Sequence, residues 1–201
     1  HGPEWRSGDG ERTSARTGAP VTVARHDRGL STEIGFTTDA NGNRVSARKR
    51  RQLARLRREQ SRGRFQSKAE RNLAHGLGEI RRIASRLGVA ESIRNQACQL
   101  FRTAQTEQLL RGRSIESIAA ASVFAACRCA GSARLLTEVV AHARVGENRV
   151  ANAYRTLNRE LGLPAPPTTP VQFVPRLATT LDCSDRVRQR AQTLATQAVD
   201  A

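Results

Sequence analysis

The feature that most constrains what this chain can fold into is an internal repeat. The passage RRIASRLGVAESIRNQACQL, ending at Leu100, lines up with PRLATTLDCSDRVRQRAQTL, ending at Leu194, at a constant offset of 94. Arg82, Ala84, Leu87, Arg94, Ala97 and Leu100 match Arg176, Ala178, Leu181, Arg188, Ala191 and Leu194, six identities over nineteen positions. Ile83 with Leu177, Ser85 with Thr179, Glu91 with Asp185 and Ile93 with Val187 are like for like. The matches keep phase with helical faces, so a helical unit of roughly 95 residues is followed by the start of a second copy. That second copy has only two helices' worth of chain, too little for a core of its own. It is expected to pack loosely, to lean on the first unit or to await further sequence. The chain contains no Met, not even at position 1, and is therefore expected to be a fragment, a processed product or a mis-started reading frame.

Between the two copies the apolar periods are helical throughout. Ser67, with Glu70 three residues on, has the form of a capping box, and Leu73, Leu77, Ile80, Ala84 and Leu87 then recur at helical spacing up to a stop at Gly88. A second helix is expected from about Glu91 to Leu110. A third follows Ser114, and its stretch from Ile118 to Cys127 is apolar on every side, as expected of a helix surrounded by others. Leu135 to Ala143, a turn at Arg144, Val145 and Gly146, and Glu147 to Leu161 complete five helices. The last two have the outline of a helix-turn-helix, and equally that of an ordinary helical hairpin with a solvated basic face, which the pattern alone favours. The final helix exposes Asn148, Arg149, Asn152, Arg155 and Arg159. After Gly162 the segment LPAPPTTP reads as an extended linker.

Ahead of this unit lie two segments of different character. Residues 1–43 are rich in Gly, Thr, Ser and Asp, lack a sustained apolar period, and are expected to be loop without order of its own. From Ser46 to about Arg64 the residues are good helix formers, but only Leu53 and Leu56 are apolar anchors, so such a helix needs a partner. Here charge enters the argument. The formal net charge is +16, and the 28 residues from Arg44 to Arg71 hold twelve basic and two acidic side chains, +10 of that total. An anionic polymer, nucleic acid first, is the expected partner. All but Lys49 and Lys68 of these cations in the chain are arginines, a choice that suits phosphate and guanine edges and that coding bias explains as well.

Other classes find little support. No run of apolar residues reaches membrane-spanning length, and a cytoplasmic, nucleoid-associated location is expected. Cys98, Cys127, Cys129 and Cys183 show no paired spacing, and Cys127 and Cys129 point about 200° apart on a helix, so small core residues are the better reading than metal ligands. His26, His75 and His142 are scattered singly, with no arrangement for nucleophilic, paired-carboxylate or phosphate-loop chemistry. An enzyme is not expected, and neither is a cofactor held within these residues.

Two tandem five-helix units behind a basic linker resemble the cyclin-like core of the TFIIB family of transcription initiation factors. Several strings resemble its archaeal members: HGPEW (His1 to Trp5), HDRGLSTEIG (His26 to Gly35), RKRRQLARLRREQ (Arg48 to Gln60), KAERNLA (Lys68 to Ala74), GRSIES (Gly112 to Ser117) and YRTLNRELGL (Tyr154 to Leu163). The resemblance implies an all-α fold: a reader-like segment at 1–43, a basic linker helix at 44–66, a first cyclin-like repeat at 67–163, and a linker with the truncated start of a second repeat at 164–201. It implies a general initiation factor whose partners are TATA-binding protein, promoter DNA and RNA polymerase. Asp27, Gly29, Leu30, Ser31 and Thr32 would contact polymerase. Arg48, Lys49, Arg50, Arg51, Arg55 and Arg58 on the linker helix, and Arg149, Asn152 and Arg155 in the first repeat, would contact nucleic acid, with reader and linker assisting start-site selection and strand opening. The zinc ribbon that precedes the segment equivalent to His1 in that family is not among these residues. Two other readings compete: a cyclin-fold interaction regulator that never touches DNA, for which neither the basic block nor HDRGLSTEIG is required, and a truncated, inactive paralogue.

Overall fold

The computed structural model describes residues 21–31, 34–38, 43–65 and 67–200. Among them are eight α-helices: α1 (Ala47–Gly63), α2 (Lys68–Leu87), α3 (Glu91–Thr106), α4 (Ile115–Cys129), α5 (Leu136–Ala141), α6 (Glu147–Leu161), α7 (Val174–Thr180) and α8 (Asp185–Asp200), with a short 3-10 turn at Pro170–Phe173 before α7. The fold is all-α. None of these helices is long and apolar enough to cross a membrane.

Side-chain caps start the helices where the sequence places them. The Ser67 hydroxyl accepts the Glu70 amide at 3.1 Å and the Ser114 hydroxyl accepts the Ser117 amide at 3.2 Å, each satisfying one of the donors a helix start leaves free. The core forms around α4, which packs on α2, α3, α5 and α6. Every residue from Ser117 to Cys127 is buried, because alanines on all faces let the neighbouring helices approach closely. Phe101, Leu77, Ile80, Ile83, Val150 and Leu157 fill the space around it.

Two boundaries differ from the periodicity. Helix α3 stops at Thr106 rather than near Leu110: Gln108 takes a left-handed φ of 57°, and the Leu109 amide turns back onto Ala104 O at 2.9 Å. That closure brings Leu109 and Leu110 against the core from outside the helix. Helix α5 has only six residues, because the His142 and Ala143 amides bond Val139 O and Val140 O at 3.1 and 2.9 Å and tighten its last turn. The connection to α6 is therefore His142–Gly146 and not three residues.

The repeat extends to the backbone. At the same offset of 94, α8 (Asp185–Asp200) has the bounds of α3 (Glu91–Thr106). Gly88, with φ 61°, corresponds to Asp182, with φ 50°, and the bond from the Val89 amide to Ala84 O recurs from the Cys183 amide to Ala178 O. The difference lies in burial. Ile83 and Leu87 are 1% and 8% exposed, whereas their counterparts Leu177 and Leu181 are 49% and 71% exposed; among the described residues nothing plays for α7 and α8 the part that α4 plays for α2 and α3. The second copy leans on the first through Arg176, whose guanidinium meets Glu138 of α5 at 2.7 Å.

Residues 21–31 depart from the expectation of a segment without order of its own. They fold as a compact turn on α3, with Ala24 buried in the core and Val23 packed against it. Thr32 and the HGPEW string lie outside the described residues.

Candidate nucleic-acid interface

Helix α6 presents Arg149, Asn152, Arg155 and Arg159 at successive spacings of three or four, which places them on one side of the helix. The opposite side buries Val150, Ala153 and Leu157, so the polar row is held outward by the core it backs onto. That row faces the turn between α3 and α4. Arg111, Arg113, Arg149, Arg155 and Arg159 together line an open cleft of about 900 Å³, with Gly112, Ser114, Ser117 and Asn152 between them and no acidic residue in the lining. Arg155 donates to Asn152 Oδ1 at 2.8 Å, which fixes the fork, and Arg113 donates to Leu109 O at 3.1 Å. The first turn of α4 opens at the cleft through Ser114 and Ser117, and the positive end of the helix dipole adds to the field there. Arg159 is shared with the Glu160 carboxylate at 2.7 Å, and the other four guanidinium groups meet no carboxylate in the lining, an arrangement that suits a run of phosphates.

The structure thus brings together Arg149, Asn152 and Arg155, named from the sequence, and adds Arg111, Arg113 and Arg159. Arg159 was visible as an exposed residue of the same face. Arg111 and Arg113 carry no periodic signal, because they sit in the turn after α3 whose end the sequence does not mark.

Arg48, Lys49, Arg50, Arg51, Arg55 and Arg58 lie on α1 and do not line that cleft. All six are exposed, and α1 buries no residue. At about 100° per residue, Arg48, Arg51, Arg55 and Arg58 fall on one stripe, with Lys49 and Arg50 off it.

Asp27, Gly29, Leu30 and Ser31 share a single turn. The Asp27 carboxylate accepts the Gly29 amide at 3.0 Å and the Ser31 amide at 3.3 Å. Its pKa is lowered from 3.8 to about 2, chiefly by the Ser31 hydroxyl, with further help from the two amides and His26 against the opposing effect of burial. Asp27 and Ser31 are therefore spent on holding the turn, and Leu30, 75% exposed, is the residue it displays. Sequence reasoning missed the anchor of this turn. Arg102 of α3 donates from Nε to Val23 O at 3.0 Å and from Nη2 to Arg25 O and to His26 O, the last at 3.4 Å.

No three His, Cys, Asp or Glu side chains come together as a metal site among the described residues. Burial pushes the Cys127 thiol up to about 11 and raises Cys98 as well. These are core thiols held in the protonated form.

The family model for the transcription factor TFIIB repeat matches residues 69–160, from the first turn of α2 to the last turn of α6. Transcription initiation factor IIB 1 of Halobacterium salinarum is 47% identical over 96% of the chain, which spans 67% of that protein. The chain belongs to the TFIIB family. It is similar also to transcription initiation factor IIB 5 of the same organism, 65% identical over the whole chain, and to transcription initiation factor IIB of Archaeoglobus fulgidus, 45% identical over 94% of it. The chain spans 65% and 59% of the lengths of these two relatives. The matched residues take in the five helices α2–α6, which form a cyclin-like repeat.

Proposed function

We propose that this chain acts in transcription initiation as a general factor that binds the complex of TATA-binding protein with promoter DNA and bridges it to RNA polymerase. The observation that carries the reading is the arginine-lined cleft between α6 and the α3–α4 turn. It supplies guanidinium donors to phosphate, of which only Arg159 is shared with a carboxylate, that of Glu160, on a surface that a regulator avoiding DNA has no use for. The names of the relatives, all transcription initiation factors, support the same reading. The work is binding and positioning, with no catalytic step and no cofactor, in the cytoplasm where the promoter is. The α1 stripe contributes further phosphate contacts, and the Asp27 turn offers Leu30 to polymerase, so that these two segments assist start-site selection and strand opening.

The test is a mobility-shift titration of the chain onto promoter DNA preloaded with TATA-binding protein at moderate salt. A ternary complex that weakens when Arg149 and Arg155 are replaced by Ala is expected. Failure of the native chain to shift the binary complex overturns the reading in favour of an inactive paralogue, and a shift that persists at full strength in the double variant moves the contact away from the cleft.

A further inference from the structure

Helix α1 carries the densest positive charge of the chain and yet buries no residue against the repeat. A helix without a core face leaves its direction to whatever else fastens it. Two arginines supply fastenings, and both take hold of the same preceding segment. At one end Arg102 of α3 draws in the carbonyls of Val23, Arg25 and His26, Ala24 sits in the core, and the His26 ring lies 5.0 Å from that of Phe65, which joins α1 to α2. At the other end Arg57 of α1 donates to Gly35 O at 2.5 Å and lies over the Phe36 ring, 4.1 Å from its centroid. Phe36 is itself 71% exposed, so its ring serves Arg57 and not the core. The chain then returns to the cap of α1 through the Thr38–Arg44 bridge and the bond from the Val45 amide to Thr37 O at 2.9 Å.

We propose that residues 22–31 and 34–38 form a strut, fastened to the first repeat by Arg102 and to the basic helix by Arg57, that sets the direction in which α1 leaves the repeat. Arg102 and Arg57 are positioning residues for the cationic stripe of α1. A guanidinium suits the first role because its donors sit on separate nitrogens in one rigid plane, so Nε and Nη2 reach carbonyls spread wider than the donors of a single ammonium nitrogen span. Partial burial of Arg102 makes its acceptors hard to give up, since a charged donor without partners there is costly. The proposal rests on the nucleic-acid reading of α1 for its purpose, and on the two arginines for its geometry.

The experiment places a donor and an acceptor dye, through bioorthogonal amino acids, at exposed positions 52 and 99 of the full chain and reads single-molecule energy transfer. Amide exchange of Thr22, Arg28 and Leu30 is followed alongside. The native chain is expected to give one narrow distance distribution. Arg102→Ala and Arg57→Ala should each broaden it, and Arg102→Ala should speed exchange of the three amides about tenfold while the α4 amides keep their native rates. Arg57→Lys, which retains a cation over Phe36, should recover part of the narrow distribution. The strut is overturned by a distribution that stays narrow in both alanine variants, or by α4 amides that accelerate in step with those of the turn. If the native chain fails to bind the promoter complex, the proposed function falls while the dye distances still judge the strut.

Discussion

Glu79 of α2 and Arg144 of the turn before α6 meet at 3.2 Å, and the same carboxylate takes Arg82 at 2.6 Å. Arg82 also donates to His142 O at 2.8 Å, so one acidic side chain, only 5% exposed, ties α2 to the start and the middle of the α5–α6 connection. The position of α6, and with it one wall of the arginine cleft, depends on this network. Glu79→Ala leaves two guanidinium groups without their acceptor, and because both keep some access to water the loss falls near the low end for a broken buried pair, about 2–3 kcal/mol. Glu79→Gln keeps one acceptor and should lose roughly half of that. Urea denaturation of the two variants measures both, and a Glu79→Gln variant as stable as the native chain would mean that the charge of Glu79 contributes nothing.

Gly76 and Gly78 sit two residues apart in α2 and should respond oppositely to alanine. A Cβ at position 76 would lie 2.1 Å from Cζ of Phe101, whose ring is fully buried, whereas a Cβ at 78 meets nothing within 4 Å. Gly78→Ala should stabilise the chain by about 0.5–1 kcal/mol through helix propensity. Gly76→Ala gains the same propensity but forces a core ring aside, for a net loss of about 1–3 kcal/mol. Combining it with Phe101→Leu should cost less than the sum of the two single changes, the signature of a shared contact. Thermal melts of the four variants decide it.

The contrast between these glycines shows what the sequence could and could not carry. Helical periods located α2 and α6, and the repeat at an offset of 94 anticipated α7 and α8, because those signals follow from which faces a helix must bury. It also anticipated that the second copy would lack a cover, seen in the exposure of Leu181 and Leu194 at 71% and 50%. The hairpin turn was misjudged because its tightening comes from carbonyls of Val139 and Val140, which any residues supply. Arg102 was invisible for the same reason, since its partners are three backbone oxygens and no side chain announces them. Half of the cleft was legible, the half on a periodic helix. Arg111 and Arg113 come to it only through the left-handed Gln108, a position that most often falls to glycine.

Loss of cleft arginines should appear in the salt dependence of DNA binding more than in its sequence preference. Arg113→Ala, Arg149→Ala and Arg155→Ala should each lower the slope of log affinity against log salt by about one, evenly across promoter sequences, if each guanidinium holds one phosphate. Arg128, which donates to Pro166 O and stands over the Tyr154 ring, lies outside the cleft and serves as the control. Fluorescence anisotropy at four or more salt concentrations gives the slopes. A slope unchanged in the three cleft variants would remove the phosphates from this surface, and a preference that shifts with promoter sequence in any one of them would make that arginine a reader of bases.

The Asp27 turn should loosen with acid in a defined window. Its carboxyl titrates near 2 when folded against 3.8 otherwise, because the Ser31 hydroxyl and the Gly29 and Ser31 amides favour the ionised form. A depressed acid contributes stability that is fully present above the unfolded value and is lost as pH falls toward the folded one. The turn should therefore be closed at neutral pH, begin to weaken below about 4 and have lost this contribution near 2. The Gly29 and Ser31 amide resonances, followed by NMR from neutral pH downward, should shift with a midpoint well under 3.8. Asp27→Asn should abolish that titration and leave the turn looser at every pH, since an amide oxygen accepts from only one side of the group and its nitrogen opposes the second donor. A native midpoint at or above the ordinary aspartate value would show that the carboxylate is not engaged, and with it would go the reason that Leu30 is held outward on a rigid turn.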